Sequence, residues 1–502
     1  MIFKNVNELS DKTEKSFFVE QLQVYIRIVE VYCEKNGIKL EHVVNEIPIE
    51  ELKCIGMISE EKDLDTLHAV SGAIYDDFIS AVSFASKHRR EMQGYLDKLY
   101  NSERNRLQME AAKKHELTLV DFFCGAGGLS LGFLQEGFNV KLANDIEDVC
   151  IQTYKYNHPE LPTSKLIKGD IKQIVDHIED YIDEDIDIVV GGPPCQGFSE
   201  ANRQRVIDDP RNKLYKYFVQ AVEKIAPKAV VMENVKGMLK VAEQVVEDYE
   251  SLRIKKRGKV YSYRAEYRII NSQDFNVAQS RERLIYIALR SDIMAKNGVS
   301  PANIFNEIEN NCKNHKTFIL QDALDYIKPL DAPRIKNMNE VDSETTGKKI
   351  DVNPYEDDNE YLSLINMGRK IPYVFNHKAR YLSDVNYEIY KRLNPGDDAT
   401  DEKIVDIMPY AHRNHCFKDK YYKLHADRPC RTITAHLRMD CHSHIHPSQI
   451  RALTPREAAR VQSFPDDYLF WGAYLKTYMQ IGNAVPPMMA RGIASVIKKY
   501  LR

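Results

Sequence analysis

Hydrophobic and polar positions follow three different rhythms along this chain. Up to about residue 115 the spacing is helical. Phe18, Leu22, Tyr25, Val29 and Tyr32 recur every three or four positions, which marks one buried helix face. Asp11, with Glu14 three residues later, resembles a capping box at its start, and Gly37 marks its end. A second stripe runs through Ala73, Ile74, Phe78, Ala81, Val82 and Ala85. From Lys87 to Lys114 charged residues take over, which predicts a solvated helix leading into the next domain. Residues 1–115 therefore read as a separate helical accessory region without chemistry of its own.

The next stretch alternates short apolar runs with helical segments. The runs are Leu117–Phe123, Val140–Asp145, Ile186–Val190, Ala229–Met232, Arg268–Asn271 and Leu284–Leu289. Near-continuous apolar runs separated by helices predict parallel strands covered on both faces. From about 295 to 428 the pattern decays into an acidic run, Tyr355–Glu360, scattered Asn and Pro, and little periodicity. Order returns afterwards, with a helical stretch from Thr454 to Gln462. The expected architecture is α/β. A doubly wound, mostly parallel sheet occupies 116–294 and is completed by 429–502, with the helical region in front and a smaller irregular domain at 295–428.

Composition changes this picture little. The chain has 502 residues, 43% hydrophobic and 29% charged, ordinary values for a soluble globular protein with a real core. No apolar run approaches the roughly 18 residues that span a bilayer, and the N-terminus lacks a signal-peptide core, so the expected location is the cytoplasm, with no membrane partner. The nine cysteines are scattered and contain no C-x-x-C pair, which argues for a reducing compartment and against a zinc ribbon. Cys441-His442-Ser443-His444-Ile445-His446 holds metal-binding residue types without the paired spacing of a zinc site, so no metal is expected. A net charge of -4 does not advertise nucleic-acid binding; such a function would need a local basic cleft. His412, Arg413, His415, Lys418, Lys420 and Lys423, interleaved with Phe417, Tyr421 and Tyr422, fit a nucleic-acid surface and a solvated face equally well.

The chemistry concentrates at strand ends. Gly191-Gly192-Pro193-Pro194-Cys195-Gln196-Gly197-Phe198-Ser199 follows an apolar run. Two glycines and two prolines force a preset turn at the carboxyl end of a strand, where ligands sit in open α/β sheets. The turn presents one thiol, a strong nucleophile once ionised. The polar loop from Glu200 to Asn212, with Arg203, Arg205 and Arg211, could close over it. Cys124-Gly125-Ala126-Gly127-Gly128-Leu129-Ser130 is a glycine turn opening a helix. It fails the dinucleotide fingerprint at Ser130 and lacks a phosphate-gripping lysine, so it suits a cofactor without pyrophosphate. Asp145 lies 18 residues beyond Gly127, where a ribose-binding acid belongs; a helix N-cap is the plain alternative. With Lys168-Gly169-Asp170-Ile171, these features read as a site for an adenosine bearing an amino-acid tail. Glu233, delivered by the strand at 229–232, is a candidate general acid. Arg281 and Arg283 share parity and can point the same way from an extended backbone.

In sequence order these motifs resemble those of the DNA (cytosine-5) methyltransferase family of bacterial type. The resemblance rests on Asp121–Gly128, Pro193-Pro194-Cys195-Gln196, Glu233-Asn234-Val235, Gln279-x-Arg281-x-Arg283, Arg431-Thr432-Ile433-Thr434 and Gly482-Asn483-Ala484-Val485-Pro486-Pro487. It covers 117–293 and 429–502, and the irregular 295–428 falls where that family keeps its target recognition domain. One departure is Asn276-Val277-Ala278, where the family often has Gly and Pro.

The resemblance implies a class I methyltransferase fold and S-adenosyl-L-methionine as cofactor, leaving S-adenosyl-L-homocysteine. The cofactor would lie along Phe122, Gly125, Ala126, Gly127, Gly128 and Leu129. Asp145 and Ile146, Asp170 and Ile171, Pro193, Asn483 and Val485 would complete its pocket. Cys195 would attack C6 of cytosine, Glu233 would protonate N3, and Arg283, Arg281 and Asn234 would support them. Gln196, Ser199, Arg203, Arg205, Arg211, Thr432 and Thr434 would contact duplex DNA. The implied partners are duplex DNA, bound by a monomer, and either a cognate restriction endonuclease acting separately or, for a solitary methylase, none. A tRNA cytosine-5 methyltransferase of similar fold and a non-catalytic DNA-binding subunit remain rival readings, while Ser130 and the Pro-Pro-Cys turn disfavour a nicotinamide enzyme.

Overall fold

The computed structural model describes residues 3–41, 47–96, 109–110, 117–194, 214–256, 258–409 and 420–502. Strands β1 (Leu117–Phe122), β2 (Phe138–Asp145), β3 (Leu166–Lys168), β4 (Ile188–Gly191) and β5 (Ala229–Asn234) precede a small hairpin, β6 (Ile254–Lys256) and β7 (Lys259–Tyr261). After them come β8 (Tyr263–Asn271) and β9 (Glu282–Arg290). Seven of these form one sheet in the order β3-β2-β1-β4-β5-β9-β8. The first five run parallel, and β9 is antiparallel to both its neighbours. The mostly parallel sheet expected from the apolar runs is present, with β9 as the one reversed strand.

The runs are apolar on both faces because both are covered. Leu119, Ile188, Val190, Val231 and Ile287 enter one core, while Val120, Val189, Val230 and Tyr286 enter the other. Helices α1 (Lys12–Lys35) and α2 (Tyr75–Lys87) lie in the N-terminal region. Helices α3 (Gly128–Gln135), α4 (Leu214–Ile225), α5 (Pro301–Cys312), α6 (Pro455–Val461), α7 (Tyr474–Asn483) and α8 (Pro487–Leu501) follow. α3, α5 and α8 cover the first face, and α4 covers the second. Phe305, Phe318, Tyr361, Ile389 and Leu424 belong to the same core as the sheet, so the described part of 295–428 is continuous with it. The weak periodicity of that stretch comes from short elements held by long-range contacts. Every residue of α6 is buried, including Arg456 and Arg460. Arg460 pairs with Asp466 at 2.7 Å, and Arg451 pairs with Glu457 at 2.6 Å.

The N-terminal region is helical as the pattern predicts. Asp11 caps α1 by accepting the Glu14 N–H at 2.9 Å. Glu14 reaches back to the Ser10 N–H at 2.8 Å, one residue earlier than a standard capping box. The region is not separate, however. Its core runs into Tyr156, Leu469 and Trp471, and into Ile350, Tyr373 and Phe375 of a second hairpin, β10 (Gly347–Val352) with β11 (Tyr373–Lys378). Arg27 Nε donates to Ile350 O at 2.9 Å, and Glu20 pairs with Lys349. A lone two-stranded hairpin is marginal in water; this one is stabilised by α1 on its flank. The charged run beyond Lys87 contributes a helix, Arg89–Leu96, with Met92 and Leu96 buried; the rest of it, save 109–110, lies outside the described residues. Among the described residues no helix is long and apolar enough to cross a membrane.

Candidate active site

The turn after β1 is wound through unusual backbone. Phe123, Gly125 and Gly127 take φ of 58°, 53° and 86°, a left-handed region that strains any residue but glycine. Asp145, at the end of β2, holds this turn. Its Oδ2 accepts the Gly125 N–H at 2.9 Å, and its Oδ1 accepts the Glu147 N–H at 2.8 Å. Burial pushes the Asp145 carboxyl upward, and the two backbone donors oppose that shift. A Cβ on Gly128 would stand 2.4 Å from Val485 O, so the C-terminal segment closes directly onto the turn. That packing brings buried Ala484 and Val485 to the turn, next to exposed Asn483 in the chain. Ala126, Leu129 and Ile171 are buried, whereas Ile146 is exposed. Asp170 is exposed and caps the helix at 171–176 by accepting the Lys172 N–H at 2.9 Å. Phe122, expected to line the cofactor, is fully buried against Phe218 on the α4 side. Alternation along β1 sends it there, and the half-buried aromatic at the turn is Phe123.

Beneath the turn, Asp121 is completely buried. Its Oδ2 accepts the Ser130 hydroxyl at 2.5 Å, and Ser130 Oγ accepts the Tyr154 hydroxyl at 2.8 Å. Its Oδ1 has no partner among the described residues. Desolvation pushes the Asp121 carboxyl up to about 7.

The candidate acid sits at the end of β5. Glu233 is 8% exposed, and its Oε1 lies 2.8 Å from Arg283 Nε. Its Oε2 would be 3.1 Å from a Cβ on Gly192. Asn234 Nδ2 donates to Pro193 O at 2.9 Å. The acid, its arginine and its neighbouring amide thus converge on the Gly-Pro-Pro lead into Cys195. Cys195, Gln196, Ser199, Arg203, Arg205 and Arg211 themselves lie outside the described residues.

Arg281 does not join that group. It lies just before β9, and its guanidinium donates to Ile433 O at 2.6 Å, Gly482 O at 2.9 Å and Ala484 O at 3.2 Å. It is a buried clamp between two C-terminal segments, which corrects its placement among catalytic residues. Gln279 works alongside it. Gln279 Nε2 donates to Gln462 Oε1 at 2.6 Å, and its Oε1 accepts the Ile433 N–H at 2.6 Å. Thr432 Oγ1 donates to Ser280 O at 3.0 Å, while Thr434 is exposed. The described end of the basic-aromatic stretch is committed to internal contacts. Lys420 pairs with Asp440 at 3.1 Å, Tyr421 is buried and stacked on His442, and Lys423 Nζ donates to Leu393 O at 2.9 Å. The rest of that stretch, 410–419, lies outside the described residues. His442, His444 and His446 are pushed by burial down to about 4, 3 and 4. No group of three or more metal-binding side chains assembles among the described residues. A cavity of about 980 Å³ lies between α1 and the β10–β11 hairpin, and neither Glu233 nor Arg283 lines it.

Residues 117–499 match the family model of the C-5 cytosine-specific DNA methylase. The chain belongs to this family. The type II methyltransferase M.AgeI of Thalassovita gelatinovora is 30% identical over 434 residues, which cover 76% of this chain and 98% of the relative. The type II methyltransferase M1.HphI of Haemophilus parahaemolyticus is 31% identical over 394 residues, covering 76% and 87%. A solved E. coli structure described as a prophage-encoded DNA modification methyltransferase superposes with a TM-score of 0.56 at 24% identity, over 77% of this chain and 99% of that one. That likeness bears on the fold alone, a class I methyltransferase fold. The protein is thus a DNA cytosine-5 methyltransferase, and its family implies a methyl donor. Residues before 117 fall outside the family match.

Three residues of this methylase were not singled out by its motifs: His158, Gln462 and Tyr468. Each has at least one partner far away in sequence, Tyr468 for His158, Gln279 for Gln462 and Ala126 for Tyr468, and no local spacing announces it.

Proposed function

We propose that the methylase transfers a methyl group to C5 of a cytosine flipped out of a specific duplex DNA sequence, through a covalent bond from Cys195 Sγ to C6. The observation that carries this reading is the Glu233–Arg283 pair, 2.8 Å apart, beside the Gly192–Pro194 lead into Cys195. Cytosine C5 is a poor nucleophile. Addition of the Cys195 thiolate to C6, with a proton from Glu233 to N3, turns the ring into an enamine whose C5 is electron-rich. After methylation the C5 proton is lost to water, the thiolate is expelled from C6 and the N3 proton returns to Glu233, which restores the aromatic ring and the acid. The difficult substitution is thereby divided into easier steps. Arg283 holds the Glu233 carboxyl in place, and Asn234 ties β5 to the thiol-bearing turn. Because C6 is inaccessible in a stacked duplex, the base must leave the helix, at a cost of about a few kcal/mol.

The residues at the glycine turn fit S-adenosyl-L-methionine. A Cβ on Gly125 would meet nothing within 4 Å, so that side of the turn is open to a ligand. Asp145 presents a carboxylate suited to ribose hydroxyls at the edge of β2, and exposed Asn483 is next in the chain to Ala484 at the turn. Bound there, the cofactor supplies a methyl carbon made electrophilic by its sulfonium. We place the enzyme in a restriction-modification setting, acting apart from its endonuclease; the support is that its relatives are named type II methyltransferases. Incubation with labelled S-adenosyl-L-methionine and either duplex DNA or tRNA tests the substrate. Label in DNA at C5 of cytosine supports the proposal, and label confined to tRNA contradicts it.

A further inference from the structure

The glycine turn is open on one side and tightly backed on the other. The backing begins at Tyr468, whose hydroxyl donates to Ala126 O inside the turn. That hydroxyl has a single proton, so its second contact, His158 Nε2 at 3.0 Å, is one in which the imidazole donates. His158 Nδ1 in turn faces Glu160 Oε1 at 3.1 Å. The His158 ring is 1% exposed and stacks on Tyr154 at 4.1 Å. Tyr154 is the end of the separate Asp121–Ser130–Tyr154 chain. A Cβ on Gly127 would lie 2.4 Å from His158 Nε2 and 2.8 Å from Tyr468 Oη. The relay therefore occupies the space that a side chain at 127 would need.

We infer that Tyr468 and His158 are positioning residues for the cofactor turn, fixing the peptide at Ala126–Gly127 from behind so that its open face is preset for S-adenosyl-L-methionine. The inference rests on the proposed cofactor site. It joins a residue 342 positions away in sequence to the turn. A preset site avoids the ordering penalty that a mobile turn would pay on binding. Neither residue touches the open side, so neither serves as a direct ligand contact. Tyr468 packs against Phe464 and Phe470, at 4.8 and 5.4 Å between ring centroids, and Phe at this position retains those contacts.

The test is calorimetric binding of S-adenosyl-L-methionine and S-adenosyl-L-homocysteine to the full chain without DNA, with a thermal melt of each variant. Tyr468→Phe is expected to weaken both ligands about tenfold, leave duplex DNA affinity within about twofold, and shift the melt little. His158→Gln is expected to act in the same direction. Because one relay is being broken, the double variant should bind no more weakly than the weaker single. Wild-type cofactor affinity in a folded Tyr468→Phe protein would overturn the inference, as would fully multiplicative losses in the double variant. If the wild-type chain bound neither ligand, the proposed cofactor site would fall, and this inference with it.

Discussion

Arg283 Nε lies 2.8 Å from Glu233 Oε1, joining the reversed strand β9 to the end of β5, with both side chains nearly buried. Removing one partner leaves the other charge buried and unpaired. Burial alone would push the Arg283 guanidinium down, and Glu233 opposes that shift. The pair therefore acts as a unit.

Glu233→Gln and Arg283→Met are each expected to lower the single-turnover rate of methyl transfer by roughly 10²–10⁴-fold. The double variant should be little slower than the worse single, as for groups that act together. Cofactor binding should stay near wild type in Glu233→Gln. Rates multiplying independently in the double variant would count against a shared role.

Arg281 gives a different expectation. Its three acceptor carbonyls lie on segments more than 45 residues apart, at Ile433 and at Gly482 and Ala484. Arg281→Leu should cost about 2–4 kcal/mol in urea melts, since buried acceptors lose their donor. Arg281→Lys should recover only part of this, because one ammonium cannot reproduce a fork. Equal stability of Arg281→Leu and wild type would show that the clamp contributes nothing.

These two arginines show what the sequence carries and what it hides. Their shared parity was visible, and so were the glycine turn, Asp145 at its strand end and Glu233 after its apolar run. Each of those signals is local: a strand period, a turn residue or a motif spacing. The divergent partners of Arg281 and Arg283 depend on how residues 430–434 and 481–485 return to the sheet, and no local pattern reports that. The same holds for the pairing of Gln462 with Gln279 and of Tyr468 with Ala126 and His158, each across more than a hundred residues. The alternation of β1 turns Phe122 toward α4 and leaves Phe123 as the half-buried aromatic at the turn, a difference of one position that the apolar run alone does not report. The N-terminal region looked self-contained because the stripe on α1 gives no hint whether its partner lies within the region or outside it.

That docking yields a truncation prediction. A chain starting at 117, the first residue of the family match, would bare Tyr156, Phe375, Leu469 and Trp471, all now part of the N-terminal core. Contiguous apolar surface of this kind drives association. The truncated protein is expected to aggregate or to melt well below the full chain, as light scattering and calorimetry would show. A monomeric fragment with an unchanged melt would contradict the docking.

Asp121 predicts a pH dependence. Its folded carboxyl is raised from 3.8 to about 7, so the folded state binds the extra proton between those values. Stability contributed by this group is therefore lost as pH rises from about 4 toward 7, at no more than about 1.4 kcal/mol per unit. Above 7 the loss is complete and the slope vanishes. Asp121→Asn should remove this slope, so the wild-type minus variant stability should fall between pH 5 and 7. A difference that rises with pH over that window would exclude a protonated Asp121 in the fold.

The most direct measurement uses duplex DNA carrying 5-fluorocytosine at the target position. Fluorine at C5 blocks release of the base, so the proposed covalent bond should persist. With S-adenosyl-L-methionine present, the wild-type enzyme should form a complex that survives a denaturing gel, with its cross-link at Cys195, and Cys195→Ser should form none while still binding duplex DNA. Methyl transfer to ordinary DNA without any trapped complex, or trapping that survives in Cys195→Ser, would contradict the account.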